Sequence, residues 1–482
     1  MVDGVNQVTS NYAFPRDIVD FDGQDDPAHP LNWSLSRKVL VSIALGFSTF
    51  TVGFNSSLFS SATDALTELY HVDHVVATLG MSLYVLGFAA GPILWAPVSE
   101  LKGRRVVILV GILGFAIFSL GVASATNMQT IMICRFWAGV FAASPMTIAG
   151  AVFADMFNGE TRGPATCVFS MNILMGPMLA PSVGGFIAES SLGWRWTAWL
   201  GSIMGFAGFI LSALCLEETY TPVLLKQKAS ALRHATGNWS LHATHEEIAL
   251  DRRTLVVTYL ARPLRLLFTE PLVALISIYL AFIYGIMYLF LTAYPMVFQQ
   301  VHGFRPGVAG LAYVGIAVGM LMGGICVILT QPSYYRKLKA NNGVIVPEWR
   351  LPPAMAGSAA FAIGIFWFGW SGYRSNIHWI IPVLSGLPTG FGLFCIFQQL
   401  LNYLFDMYLP YAASVNAGSS VLRSLCGFAF PLFAKSMFQS LGINWASTLL
   451  GCIAAICITL PFLFHRCGPQ MRARSKYCLK GV

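Results

Sequence analysis

An all-α membrane protein, twelve spanning helices arranged as two six-helix bundles, is the fold this sequence predicts. Three observations carry it. Of 482 residues, 56% are hydrophobic and only 10% are charged. A soluble domain carries about 25% charged residues, so a deficit over this length means that most of the surface meets lipid. The apolar residues gather in runs of about 20, the length at which a helix crosses the hydrocarbon of a bilayer. One long polar segment, 217–270, divides those runs into six and six.

Taken in order, residues 1–38 read as a disordered cytosolic tail, polar and acidic (Asp17, Asp20, Asp22, Asp25, Asp26) and broken by Pro27 and Pro30. Such a segment buries too little apolar surface to fold alone, and no cleavable signal peptide is read in it. The N-terminal bundle takes 39–216, with runs near 39–61, 75–98, 106–125, 128–153, 164–188 and 197–216. The linker 217–270 holds Lys226, Lys228, Arg233, Arg252, Arg253, Arg262 and Arg265. A short amphipathic helix on the membrane surface is expected in it near 242–257. The C-terminal bundle takes 271–465, with runs near 271–297, 307–330, 354–371, 377–403, 411–437 and 443–465, and a basic tail follows at 466–482. The ninth run is short, and Pro and Gly interrupt the fifth and tenth, so eleven spans is the competing count. Charge favours twelve. Of 29 Lys and Arg, 23 fall on the side that holds the termini and linker, and only Arg195, Arg305 and Arg374 fall opposite. The excess puts both termini in the cytosol, which requires an even number of spans.

The same features exclude other classes. The net charge of +8 comes from cations in short loops between apolar runs, a membrane pattern rather than a nucleic-acid surface. The ten cysteines are scattered without a CxxC pair and read as small core- or lipid-facing residues, not as a disulfide or metal framework. None of the nine His sits centrally in a span, which leaves no membrane metal or haem site and no cofactor. An integral-membrane enzyme would need a His or acid cluster near the membrane face, and none has that spacing. The chain is read as a monomer, not an enzyme, whose partners are a lipid bilayer and a small molecule.

Several motifs narrow this. After the second run stands Ser99-Glu100-Leu101-Lys102-Gly103-Arg104-Arg105; the fourth carries Arg135-Phe136-Trp137-Ala138-Gly139, and the fifth carries Gly176-Pro177-Met178-Leu179-Ala180-Pro181-Ser182-Val183-Gly184-Gly185. These resemble, in order, the loop signature, the R-x-x-x-G motif and the antiporter motif G-P-x-x-x-P-x-x-G-G of the major facilitator superfamily. The segments Asp22–Pro27, Pro30–Ser34, Gly193–Trp196, Glu218–Tyr220, Arg262-Pro263 and Glu270-Pro271 are similar to the fungal drug:proton antiporter family with twelve spans. The resemblance covers nearly the whole chain. It implies the major facilitator fold and secondary transport by alternating access, with proton-coupled efflux of a small hydrophobic compound (a secondary metabolite, toxin or drug). It also implies the plasma membrane as host, with the vacuolar membrane second. A nutrient or organic-acid facilitator of the same fold is the alternative, and a non-transporting receptor is the alternative of another class.

Site candidates follow from chemistry. Two bundles that rock against each other need latches at the loops. Glu100 is expected to pair with Arg104, Arg105 or Arg162, or to sit against a helix N-terminus, with Asp155 as the second acid. Gly176, Pro177, Pro181, Gly184 and Gly185 remove bulk and backbone donors, so the fifth helix should approach a neighbour closely and shape a gate. Arg135 and Arg423 lie within spans. An embedded Arg faces a cavity and serves coupling or substrate binding, or else is bonded structurally to backbone carbonyls. Asn55, Tyr84, Asn172, Tyr284, Tyr288, Gln398, Gln399, Asn402 and Asn416 are the polar residues expected to line the cleft, interhelical hydrogen bonds being the other reading. All 21 Asp and Glu fall in tails, loops or helix ends, so a proton carrier is missing from mid-membrane, where relays normally place one. Embedded cations without an acid suit a neutral or weakly acidic solute and disfavour polycations.

Overall fold

The computed structural model describes residues 17–23, 25–246, 261–475 and 477–478. Twelve helices among them are long and apolar enough to cross a membrane: α1 Leu35–Tyr70, α2 His74–Lys102, α3 Arg104–Ser124, α4 Met128–Met156, α5 Thr161–Glu189, α6 Arg195–Cys215, α7 Pro271–Val301, α8 Pro306–Ala340, α9 Pro352–Gly372, α10 Ile380–Met407, α11 Ala412–Leu441 and α12 Ile443–Ala473. Local chemistry sets their ends. The Asp73 carboxylate accepts from the Val75 N–H and starts α2, and the Asn127 side chain accepts from the Thr130 N–H and starts α4. Both side chains satisfy donors that a helix leaves open. Between α2 and α3 only Gly103 intervenes, at φ +92°, and between α11 and α12 only Gly442, at φ +81°. Other residues resist that backbone region, so glycine permits two long helices to meet at one hinge.

Packing repeats across the two halves. In the first, α1 lies on α5, α4 on α2 and α3, and α3 on α6; in the second, α7 lies on α11, α10 on α8 and α9, and α9 on α12. Each pair maps onto its counterpart six helices later, the arrangement of an internal two-fold repeat. The halves meet through α2 on α11 and α5 on α8, which the same symmetry exchanges. Glycine brings the backbones together: a Cβ on Gly139 would enter the Tyr84 backbone, and one on Gly390 the Ile316 carbonyl. An even number of spans puts both termini and the linker at one end of the bundle, called the linker end below.

Three expectations change. The tail read as disordered through residue 38 is ordered in its described part. Val19 donates to the His242 carbonyl (2.9 Å) and His242 to that of Asp17 (2.9 Å), while Lys228 pairs with Asp22 (2.9 Å) and Asp26 (3.6 Å). The acids read as preventing order are its contacts, because the basic linker supplies their partner. N–H donors of Asp22 and Ala28, and then Lys228, hold the Asp26 carboxyl below its ordinary value. Helix α1 therefore begins at Leu35 rather than 39, and at the other end α12 runs to Ala473, past 465. Among the described residues the linker helices are Thr221–Thr236, closed by Gly237 at φ +68°, and Arg262–Thr269. Of the helix expected at 242–257, residues 242–246 instead form a bridge to Ile18 and a turn at Thr244–Glu246, and the remainder lies outside the described residues.

Candidate functional site

Helix α1 stays regular to Leu58 and then tightens into a 3-10 turn at Phe59–Ala62. A helix that changes pitch inside an apolar bundle leaves carbonyls without partners. Arg135 of α4, 2% exposed, meets them. Its guanidinium donates to the Asn55 carbonyl from both terminal nitrogens (3.3 Å each), to Ser56 O (3.5 Å), and through Nε to Gly80 O (2.9 Å). It also lies over the rings of Phe59 (4.6 Å) and Tyr84 (4.4 Å). Of the two readings of Arg135, the bond to backbone carbonyls is the one present in this conformation.

Around it the other polar residues sort into place. The Tyr84 hydroxyl donates to Val52 O (2.9 Å), and the Asn55 amide reaches Ser119 Oγ (3.5 Å). Ser56 Oγ and the Tyr288 hydroxyl stand 2.8 Å apart, a hydrogen bond from α1 to α7 and so from one half to the other. Tyr284 packs on Tyr288 (5.1 Å), and the Tyr284 ring rests against Gly427, one turn beyond Arg423. Arg423, 9% exposed, donates to Ser419 Oγ (3.4 Å) and lies over the Phe397 ring (5.2 Å). Among the described residues neither Arg135 nor Arg423 forms an ion pair. The centre of the molecule therefore holds two guanidiniums walled by aromatic rings and hydroxyls.

Of the remaining polar candidates, Gln399 and Asn172 face other spaces. Gln399 is buried with its Oε1 unpartnered among the described residues, and it faces a cleft of about 20 Å³ shared with Gln331, Tyr334 and Arg350, away from the centre. Gln398, on the same turn of α10, is buried at 3% exposure. Asn402 and Asn416 sit in the turns of α10 and α11 nearest the linker end. Asn172 lines a separate groove of about 570 Å³ between α1 and α5.

At the linker end an ionic collar closes the first half. Arg104 pairs with Asp155 (3.6 Å), donates to Ser99 Oγ (2.7 Å) and lies over the Tyr220 ring (4.5 Å), and Thr219 donates to Asp155 (3.3 Å). Arg105 donates to Ala213 O (3.0 Å), and Glu100 lies within electrostatic reach of Tyr220. Arg162 is exposed at the start of α5 and joins no ion pair among the described residues. The carboxylate at the N-terminus of α3 is Glu218, rather than the expected Glu100. It accepts from the backbone N–H of Arg104 (2.9 Å), Arg105 (3.1 Å) and Tyr220 (2.9 Å), where the α3 dipole favours an anion. Beside it Glu217 pairs with Arg37, whose hydrogen bond holds the Glu217 carboxyl below its ordinary value.

The second half repeats the collar, which the sequence reading missed. Arg350 at the head of α9 pairs with Asp406 at the foot of α10 and lies over the Tyr334 ring (4.1 Å), and the Tyr334 hydroxyl donates to Asp406 (3.3 Å). Arg104 and Asp155 thus correspond to Arg350 and Asp406, whereas the ring over the arginine comes from the linker (Tyr220) in the first half and from α8 (Tyr334) in the second. Glu348 pairs with Arg472 (3.3 Å), and Glu270 accepts from Tyr408 (3.1 Å) and Ser475 (2.7 Å). Cation and acid at equivalent helix ends, half a chain apart, were the available signal.

At the opposite end the glycine motif of α5 makes backbone contact. A Cβ on Gly176 would come 2.8 Å from the Phe54 nitrogen, and one on Gly184 3.0 Å from the Leu58 carbonyl. Gly185 meets Pro306 and Gly307 of α8, Ser182 Oγ donates to Gly310 O (2.7 Å), and Gly307 N–H donates to Glu189 (2.7 Å). Pro177 stands beside Gly53 of α1, and the Pro181 carbonyl lies against Gly310. Half the motif thus packs within its own bundle and half against the other.

A pseudo-symmetric pair of six-helix bundles, with a polar centre between them and an ionic collar on each, defines a polytopic transporter. The model of the Major Facilitator Superfamily matches residues 45–431, and the chain belongs to that family. It is 46% identical over 462 residues to the major facilitator superfamily multidrug transporter FLU1 of Candida albicans, covering 95% of this chain and 76% of that one. It is 44% identical over 465 residues to the MFS-type transporter acdC of Aspergillus candidus, covering 96% and 91%. Among solved structures it resembles the proton:xylose symporter XylE bound to 6-bromo-6-deoxy-D-glucose, with a TM-score of 0.63 at 17% identity over 90% of this chain and 97% of that one. At that identity the likeness shows the fold alone.

Proposed function

We propose that this transporter exports a small hydrophobic compound, neutral or weakly acidic, in exchange for protons, with both termini in the cytosol of a plasma-membrane host. The observation that carries the reading is the central site: Arg135 and Arg423 among aromatic rings and hydroxyls, with no ion pair to either among the described residues. A solute bound there meets cationic and apolar groups, which suits a neutral or anionic partner and repels a polycation. Efflux is supported by relatives whose names describe multidrug transport, FLU1 among them. Cytosolic termini are supported by the excess of Lys and Arg at the linker end. Proton exchange rests on the α5 motif and on rim acids such as Asp155 and Asp406. The protein works alone, with no cofactor beyond the gradient.

The test uses inside-out vesicles from a fungal host expressing the full chain, with the lumen made acidic. Uptake is followed for Nile red as a neutral solute, a radiolabelled aromatic carboxylate as a weak acid, and spermidine as a polycation. Gradient-driven uptake of the first two, collapsed by a protonophore, is expected. Strong protein-dependent uptake of spermidine would overturn the substrate class, and uptake indifferent to the gradient would overturn proton exchange.

A further inference from the structure

We propose that the groove between α1 and α5 binds an anionic phospholipid of the leaflet at the linker end, with one acyl chain along the groove and the headgroup against Lys38. The groove holds about 570 Å³, within the ~300–1,000 Å³ of ordinary ligand sites. All its lining residues belong to the first half. Neither α8 nor α11, the second-half helices that meet the first half, contributes a residue to it.

Helices α1 and α5 touch away from the linker end, where Gly53 sits under the Ile173 carbonyl and Gly176 against Phe54. Nearer the linker end Phe50, Phe153 and Phe157 line the groove, and the Asn172 amide reaches toward Gly46. Outward-facing Ile43 and Val168 are 56% and 50% exposed, on a surface that meets hydrocarbon. Among the lining residues only Ser42 and Asn172 are polar. A space so apolar gains dispersion contacts from a hydrocarbon chain that water cannot supply.

Charge identifies the kind of amphiphile. The Lys38 ammonium is held at the rim, 2.8 Å from Leu31 O and 5.7 Å from the centre of the Phe157 ring. Arg162 is exposed nearby, at the start of α5. From Lys38 to Phe50 is ~18 Å along a helix, close to the ~15 Å of hydrocarbon in one leaflet. A cation at the interfacial end of a leaflet-long apolar groove matches a phospholipid with a negative headgroup, and the leaflet bearing such lipids attracts basic residues. The reading of Proposed function enters only in naming that leaflet cytosolic.

Native mass spectrometry of the purified full chain tests this, with graded additions of phosphatidylserine or phosphatidylcholine. One phosphatidylserine should survive collisional activation that strips phosphatidylcholine, and Lys38→Gln should cut that preference about five-fold. Ile43→Trp and Val168→Trp fill the groove from exposed positions and should abolish the retained lipid while the protein stays monodisperse. Equal retention of both lipids by the unaltered chain, or unchanged retention in both Trp variants, would overturn the proposal. So would unchanged lipid retention with lost efflux in the Trp variants, which would make the groove an entry for solute. Because the readout is lipid mass, a failed efflux reading leaves the result interpretable.

Discussion

Arg135 shows how one side chain serves a helix it does not belong to. Its guanidinium answers carbonyls of α1 that the 3-10 turn at Phe59–Ala62 leaves open, and it fills the space between Phe59 and Tyr84. The planar fork makes these bonds and stacks at the same time, whereas a lysine ammonium is a point donor. Arg135→Lys keeps the charge and loses the fork, removing charge-assisted bonds of about 1.5–3 kcal/mol each. We expect Arg135→Lys to fold, to melt several degrees lower, and to transport at least about ten-fold more slowly, since 1.4 kcal/mol is a factor of ten. Thermal unfolding in detergent and initial rates in the vesicle assay check this; a lysine variant with unchanged rate and stability would show that charge alone suffices. The sequence made Arg135 visible because an embedded arginine is rare and costly. It could not show the partners, since nothing in Asn55-Ser56-Ser57-Leu58-Phe59 announces a change of helical pitch. Asn172 was misplaced for a related reason: periodicity gives a helix face, but whether that face meets the centre or a lateral groove depends on how the neighbouring helix is tilted.

At the scale of elements, the glycines of α5 separate into two jobs that their spacing alone does not distinguish. Gly176 and Gly184 let α5 lie on α1 inside one bundle, while Gly185 lets it meet Pro306 and Gly307 across the interface. Gly310 completes that seam from the α8 side, against the Pro181 carbonyl. A leucine at Gly185 or Gly310 would push against backbone, which cannot rotate away, at a cost of about 1–3 kcal/mol. That cost is borne only in conformations where this end is shut, so the substitution shifts the balance toward opening it, by up to about a hundred-fold for each 2.7 kcal/mol. Gly185→Leu and Gly310→Leu should therefore raise labelling of a cysteine placed just inside this end in a background without other cysteines. Gly150→Leu should not, because a Cβ there meets nothing within 4 Å. Equal labelling in all three variants would remove the seam from the gating account. Helix positions and count were legible here, because hydrocarbon thickness and the charge excess act on whole segments. The ordered part of the N-terminal tail was not, since Asp22 and Asp26 find their cation in Lys228, two hundred residues away.

For the whole molecule the two collars decide how each half moves. Arg104 and Asp155 lie in one half and Arg350 and Asp406 in the other, and neither pair crosses the interface. Rocking of rigid bundles leaves both pairs intact, so their geometry fits clamps that hold α3 to α4 and α9 to α10 better than a switch broken in each cycle. The two readings differ in additivity. Clamps in separate bundles share no partner, so their effects should sum to within about 0.3–0.5 kcal/mol. Switch elements acting on one equilibrium between conformations should couple. Arg104→Ala and Arg350→Ala should each lower stability by about 1.5–3 kcal/mol, the worth of hydrogen bonds to a charged group. The double variant should lose the sum, and the exchanged pair Arg104→Asp with Asp155→Arg should recover part of the first loss. Denaturant midpoints measure stability, and cysteine accessibility at the two ends measures the balance of conformations. Additive stability with unchanged accessibility fixes the collars as clamps. A double variant no worse than either single one, with accessibility moved from one end to the other, would make them the two ends of one latch.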